Sequence, residues 1–106
     1  MAKWKSAHPG LIHGYQILGN AGTVVCLDTG TSSELIKAIT VVAMDNNSSQ
    51  ILIGSSDLVT SSQVRGFDSG KGLTYDPINI PPVKLNSFYI NGGASSDGVD
   101  FYAIKA

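Results

Sequence analysis

Ile39-Thr40-Val41-Val42-Ala43-Met44 opens a series of short β-branched and aromatic runs that continues almost to the last residue. After it come Gln50-Ile51-Leu52-Ile53, Gly72-Leu73-Thr74-Tyr75, Val83-Lys84-Leu85, Ser87-Phe88-Tyr89-Ile90 and Val99-Asp100-Phe101-Tyr102-Ala103-Ile104. Residues of this kind suit a pleated, half-buried surface, and the Gly, Ser, Asn and Asp clusters between them are turn formers. With no long helical period in between, the spacing predicts an all-β fold, a single antiparallel β-sandwich of jelly-roll-like form. Most of the chain is then scaffold, and few polar groups are free for chemistry.

Length and charge agree with that reading. The 106 residues suffice for one core without metal or disulfide staples. Seven Lys and Arg stand against eight Asp and Glu, for a net charge of -1, so no basic stripe is available to neutralise a phosphate backbone and nucleic acid is not an expected partner. A charged fraction of 14% is low for a lone soluble subunit, which suggests that part of the surface is covered by something else. The single Cys26, within Thr23-Val24-Val25-Cys26-Leu27, reads as a buried small hydrophobe and cannot close an internal disulfide. Lys3 and Lys5 are followed by no apolar signal-peptide core, and no stretch is long enough to span a bilayer, so the expected site of synthesis is the cytoplasm, with no membrane partner.

The organisation divides at about Ala21. Residues 1–20 hold His8-Pro9-Gly10, His13-Gly14 and Gly19-Asn20 among scattered apolar positions, so they are expected to form an extended N-terminal arm with at most a short strand at Tyr15-Gln16-Ile17-Leu18. The sandwich is assigned to residues 21–106. Trp4, Tyr15, Ile17 and Leu18 make the arm too apolar for a free tail, so it is expected to dock on its own sandwich or on a neighbour, and these four are named as the partner-binding residues. Residues 1–14 are expected to contribute docking and little to the fold.

Three loops stand out. Asp45-Asn46-Asn47-Ser48-Ser49 and Asn91-Gly92-Gly93-Ala94-Ser95-Ser96-Asp97-Gly98 read as hairpin loops joining strands that pair across them, and Asp68-Ser69-Gly70-Lys71-Gly72 as a tight turn. Thr31 and Glu34 have capping-box spacing, which permits one helical turn at Leu35-Ile36. Pro81-Pro82 places Ile78 and Ile80 on a sheet edge.

Alternation adds an inference about association. Ile39, Val41 and Ala43 alternate with Thr40, Val42 and Met44, while Val99, Phe101 and Ala103 alternate with Asp100, Tyr102 and Ile104. Both faces of these strands are substantially apolar, whereas an exposed antiparallel strand keeps one face polar. One face fills the core; the other calls for a loop, the arm or another subunit, and a small homo-oligomer is expected, with a trimer the first choice.

The sharpest chemical motif is Val24-Val25-Cys26-Leu27-Asp28-Thr29-Gly30-Thr31-Ser32-Ser33, which resembles the active-site turn of aspartic proteases. There an apolar strand delivers Asp-Thr-Gly so that two carboxylates share a proton, and a chain of this length would supply the second Asp28 by dimerising. Two departures oppose it. The apolar-apolar-Gly buttress is absent at the proper distance, since Leu52-Ile53-Gly54 comes too early and Asn91 interrupts Tyr89-Ile90-Asn91-Gly92. The loop at Asp45–Ser49 also has no glycine to make a flap. Asp-Thr-Gly serves equally as an ordinary strand-ending turn. His8 and His13 lack a third metal ligand nearby, Asp97 and Asp100 lack calcium-loop spacing, and Gly70-Lys71-Gly72 is too short for a phosphate loop. No catalytic, cofactor-binding or metal residue is assigned, and the chain is read as not an enzyme.

The succession Ala21-Gly22-Thr23-Val24-Val25, Ile39-Thr40-Val41-Val42-Ala43, Gln50-Ile51-Leu52-Ile53-Gly54-Ser55-Ser56-Asp57, Arg65-Gly66-Phe67, Phe88-Tyr89-Ile90 and Asp97-Gly98-Val99-Asp100-Phe101-Tyr102 resembles small β-sandwich structural proteins of tailed bacteriophages, the head decoration and head fibre proteins. The likeness lies in short apolar strands, Ser/Thr/Gly/Asn-rich loops, few charges and a closing aromatic strand. It implies a virion protein made in the host cytoplasm, a capsid decoration or cement subunit whose partner is the major capsid protein or another virion subunit. A tail or fibre module that binds host glycan is the second possibility it implies.

Overall fold

A computed structural model describes residues 3–8, 10–27, 34–54, 66–75 and 82–106, with residues 3–8 and Tyr75 as backbone only. The strands in chain order are β1 (Lys3–His8), β2 (Leu11–Ile17), β3 (Val25–Cys26), β4 (Leu35–Ala43), β5 (Ile51–Gly54), β6 (Gly66–Phe67), β7 (Gly72–Tyr75), β8 (Val83–Lys84), β9 (Tyr89–Gly92) and β10 (Gly98–Lys105). A 3-10 turn at Leu85–Ser87 is the one helical element among the described residues.

Alternation in the two longest strands sets the layers. Val99, Phe101 and Ala103 of β10 are buried, as are Ile39, Val41 and Ala43 of β4. Antiparallel pairing puts Phe101 opposite Val41 and Tyr102 opposite Thr40, so the inward residues of both strands share one face. A register shift between Ile104 and Lys105 leaves Lys37 as the extra residue on β4, with Ala38 opposite Ile104 and Ile36 opposite Lys105. That bulge lets Ile36 and Ile39 both face the core although they are three apart.

The first sheet runs β1-β2-β10-β4-β7, and β8 pairs with the other end of the same β4 edge. The second runs β3-β9-β5-β6, and all pairs in both sheets are antiparallel. The chain is therefore an all-β sandwich of two antiparallel sheets, as the strand pattern predicts. Between the sheets lie Ile12, Leu18, Leu27, Ile36, Val41, Ile51, Leu85, Ile90 and Val99, each no more than 1% exposed. Burying a side chain of this size stabilises the fold by about 1.5–3 kcal/mol before entropy is counted.

Several expectations are corrected. Residues 11–17 are not part of an extended arm: they form an interior strand bonded to β1 on one side and β10 on the other. Gly10, at φ 83°, lies in the turn of the β1–β2 hairpin. Leu35 and Ile36 begin β4 and form no helical turn, because their pairing with β8 satisfies the backbone. Cys26 is half-buried, while Val25 and Leu27 are buried. The two hairpin loops are not hairpins, since β4 and β5 belong to different sheets, and so do β9 and β10. Asp28-Thr29-Gly30, Ile78 and Ile80 lie outside the described residues.

Candidate functional site

Two regions gather the polar and apolar side chains that the sequence singles out. The first is the end of the sandwich where the chain passes between sheets four times, at residues 18–24, 44–50, 68–71 and 93–97. Backbone bonds tie these crossings together: Leu18 N to Asp97 O (2.9 Å), Gly19 N to Ser95 O (2.9 Å), Gly22 N to Gly92 O (2.8 Å) and Gly70 N to Ala43 O (2.8 Å).

Asp97 sits at the centre of this corner, 0% exposed. Its carboxylate accepts from Ser48 N (2.8 Å), Ser48 Oγ (3.2 Å), Ser49 N (3.1 Å) and Ser49 Oγ (2.7 Å). The neighbouring Asn47 amide donates to Gly98 O and accepts from Gly98 N, both at 2.9 Å. Desolvation pushes the Asp97 carboxyl up, but the backbone and side-chain donors of Ser48 and Ser49 outweigh it and hold the group below the ordinary Asp range. A carboxylate so engaged is a clasp between two loops, not a free general base. Gly98 is required beside it, because a Cβ there would run into the Gln16 carbonyl oxygen.

The second region is the outer face of the six-stranded sheet. Leu11 (43% exposed), Leu35 (52%), Tyr102 (59%) and Ile104 (45%) are the exposed large hydrophobic residues of the described chain, and all four lie on this sheet. Ile104 is the register partner of Leu11, and Tyr102 is that of His13 on one side and Thr40 on the other. A groove of about 310 Å³ runs among Leu11, Ala38, Thr40, Thr74, Tyr102 and Ile104. The Tyr102 ring stacks on His13, with centroids 6.1 Å apart and planes 24° from parallel, and the Thr40 and Thr74 hydroxyls stand 3.4 Å apart on the groove wall. Asp100, two residues before Tyr102, is exposed; partial burial and the nearby Asp45 charge raise its carboxyl above the usual range.

The residues proposed from sequence as partner-binding are distributed unevenly. Tyr15 and Ile17 are half-buried and alternate in β2 with buried Gly14 and Gln16, which places them on the outer face with Leu11 and His13. Leu18 is only 1% exposed and belongs to the core, so it is not available to a partner in the folded chain. Trp4 is the register partner of Tyr15 in the β1–β2 pair, and its side chain lies outside the described residues. The β2 hairpin extends the outer face sideways and does not cover it, so the arm is removed from the possible covers of this sheet. Tyr102 and Ile104 were legible as the outward set of their strand; Leu11 carries no such signal, because its strand is interrupted by His13 and Gly14.

Among the described residues there is no group of three His, Cys, Asp or Glu side chains able to hold a metal ion, and no helix long and apolar enough to cross a membrane. Compared with known proteins, the sequence matches no family model and no curated protein.

Proposed function

We propose that this chain is a non-enzymatic virion structural protein, a capsid decoration or cement subunit that seats on an assembled phage head and stabilises it. The observation that carries the reading is the outer sheet face, where large apolar side chains stand exposed on a rigid two-sheet scaffold while the buried carboxylate of the loop end is occupied in holding that scaffold together. A surface of that kind suits additive contact with other subunits, and a protein that binds only the assembled shell stabilises it by mass action. Its partners would be the major capsid protein or other virion subunits, its location the virion, and its site of synthesis the host cytoplasm.

The stacked His13–Tyr102 pair beside the Thr40 and Thr74 hydroxyls favours a second reading, a tail or fibre module whose aromatic platform receives a host glycan. Mixing the purified protein with purified empty heads separates the two. Saturable co-sedimentation with heads and a raised shell melting temperature are expected; binding to host surface glycan with none to heads would replace the first reading by the second.

A further inference from the structure

The geometry points to the outer face of the six-stranded sheet as a reciprocal, two-fold interface with a second copy of this chain, in which Tyr102 of each copy enters the groove beside Tyr102 of the other. The apolar patch contains both halves of such a contact. Tyr102 is the knob, 59% exposed, and the groove of about 310 Å³ among Leu11, Ala38, Thr40, Thr74 and Ile104 is the hole. A two-fold axis between them makes each knob meet the other copy's hole, which is what an isologous contact requires. A threefold ring would need two different complementary patches, whereas the exposed large hydrophobics of the described chain all lie on one sheet and three of the four, Leu11, Tyr102 and Ile104, line one groove. The inference therefore departs from the trimer expected from sequence.

Size and charge agree with this occupant. Five strands side by side at about 4.8 Å, about seven residues long at about 3.4 Å each, offer roughly 600 Å² per copy. Two such faces reach about 1,200 Å² in total, the lower bound of stable specific interfaces. Charges of both signs flank the groove: Asp100 stands one outward position from Tyr102 on β10, Lys37 is exposed at the bulge of β4, and Glu34 and Lys105 pair at 3.7 Å. An apolar centre with a mixed-charge rim matches its own copy without calling for a partner of opposite charge. The His13 stack holds the Tyr102 ring in place before contact, which lowers the entropy lost on docking.

The inference does not depend on the virion reading, and its test uses the purified chain alone. Sedimentation equilibrium over micromolar to millimolar concentrations should give a monomer–dimer equilibrium. Tyr102→Glu should weaken it by about 30-fold or more while the circular dichroism spectrum stays that of a β protein. In a mixture of isotope-labelled and unlabelled wild-type chain, intermolecular NMR contacts should link the Tyr102 ring to the Thr40 and Thr74 methyl groups, and this measurement decides the matter if Tyr102→Glu fails to fold. A monomer at every concentration, a trimer, a dimer indifferent to folded Tyr102→Glu, or intermolecular contacts elsewhere would each overturn the proposal. Head binding by a strictly monomeric chain would sink it while leaving the virion reading intact.

Discussion

At the crossing end of the sandwich polar side chains are buried and engaged with one another, whereas on the outer face of the six-stranded sheet apolar side chains stand exposed. Loops carry function in many proteins because they are the variable, accessible part of a rigid scaffold. Here the roles are exchanged. Asp97, Asn47, Ser48 and Ser49 are used in joining the crossings, and the regular strands carry the exposed apolar surface of the described residues. An accessible polar loop is thus a poor guide to this molecule's site, and the outward row of its central strand a better one.

The sharpest way to break that comparison is to remove the segment that extends the open face. Deleting residues 1–14 takes away β1 and over half of β2, together with core residue Ile12, and leaves Phe101 to Ile104 of β10 unpaired on that side. Loss of cooperative unfolding is expected, equivalent to more than about 4 kcal/mol. A truncated chain that melts as the intact one does would restore the idea of a dispensable arm.

Breaking the clasp comes next. Asp97→Ala strands the Ser48 and Ser49 donors and should cost about 3 kcal/mol in urea denaturation. The same group makes stability depend on pH. Its folded-state pKa is depressed, so its contribution is present in full above the unfolded Asp value and disappears as pH falls through the lower folded value. Asp100 has the opposite sign: its raised pKa penalises the folded state at neutral pH and the penalty is relieved by protonation. Melting followed below about pH 4 should fall steeply in the wild type and be flatter in Asp97→Asn; equal slopes would show that the clasp is not what titrates.

Gly98→Ala is expected to destabilise by about 2 kcal/mol, since its Cβ would run into the Gln16 carbonyl oxygen, a backbone atom fixed in the β2–β10 ladder. The smallest effect belongs to the open face. Tyr102→Thr keeps a β-favouring residue at an exposed position, so at concentrations where the chain is monomeric its stability should change by no more than about 0.5 kcal/mol. A large loss there would mean that Tyr102 holds the fold and not a partner.

The two regions also differ in how far they can be read from sequence. The outward row Asp100, Tyr102 and Ile104 was visible, because a period of two survives in any strand whichever neighbour it pairs with. The sandwich class followed from the same period. The clasp was not visible, since Asp45–Ser49 and Asn91–Gly98 are made of residues that serve a hairpin and a sheet-to-sheet crossing equally well. What separates those outcomes is the long-range bond from Asp97 to Ser48 and Ser49, about half the chain away. β2 was missed for a related reason: Gly14 and Gln16 occupy its buried positions, so the apolar period fades although the strand is central. Gly14 lies opposite Phe101 of β10, which is itself buried.

The position of β10 has a consequence for how the molecule comes into being. The strand that joins β2 to β4 is made of residues 98–105, so the inner bonds of the larger sheet link the N-terminal and C-terminal parts of the chain. Such pairings must close long loops before they yield any contact, which makes this a slow folder by the standards of its size. On the ribosome β2 and β4 would emerge early and wait, each with an unpaired edge, until the segment from Gly98 onward has left the exit tunnel. During that interval the unpaired edges of β2 and β4 are the aggregation-prone part of the nascent chain.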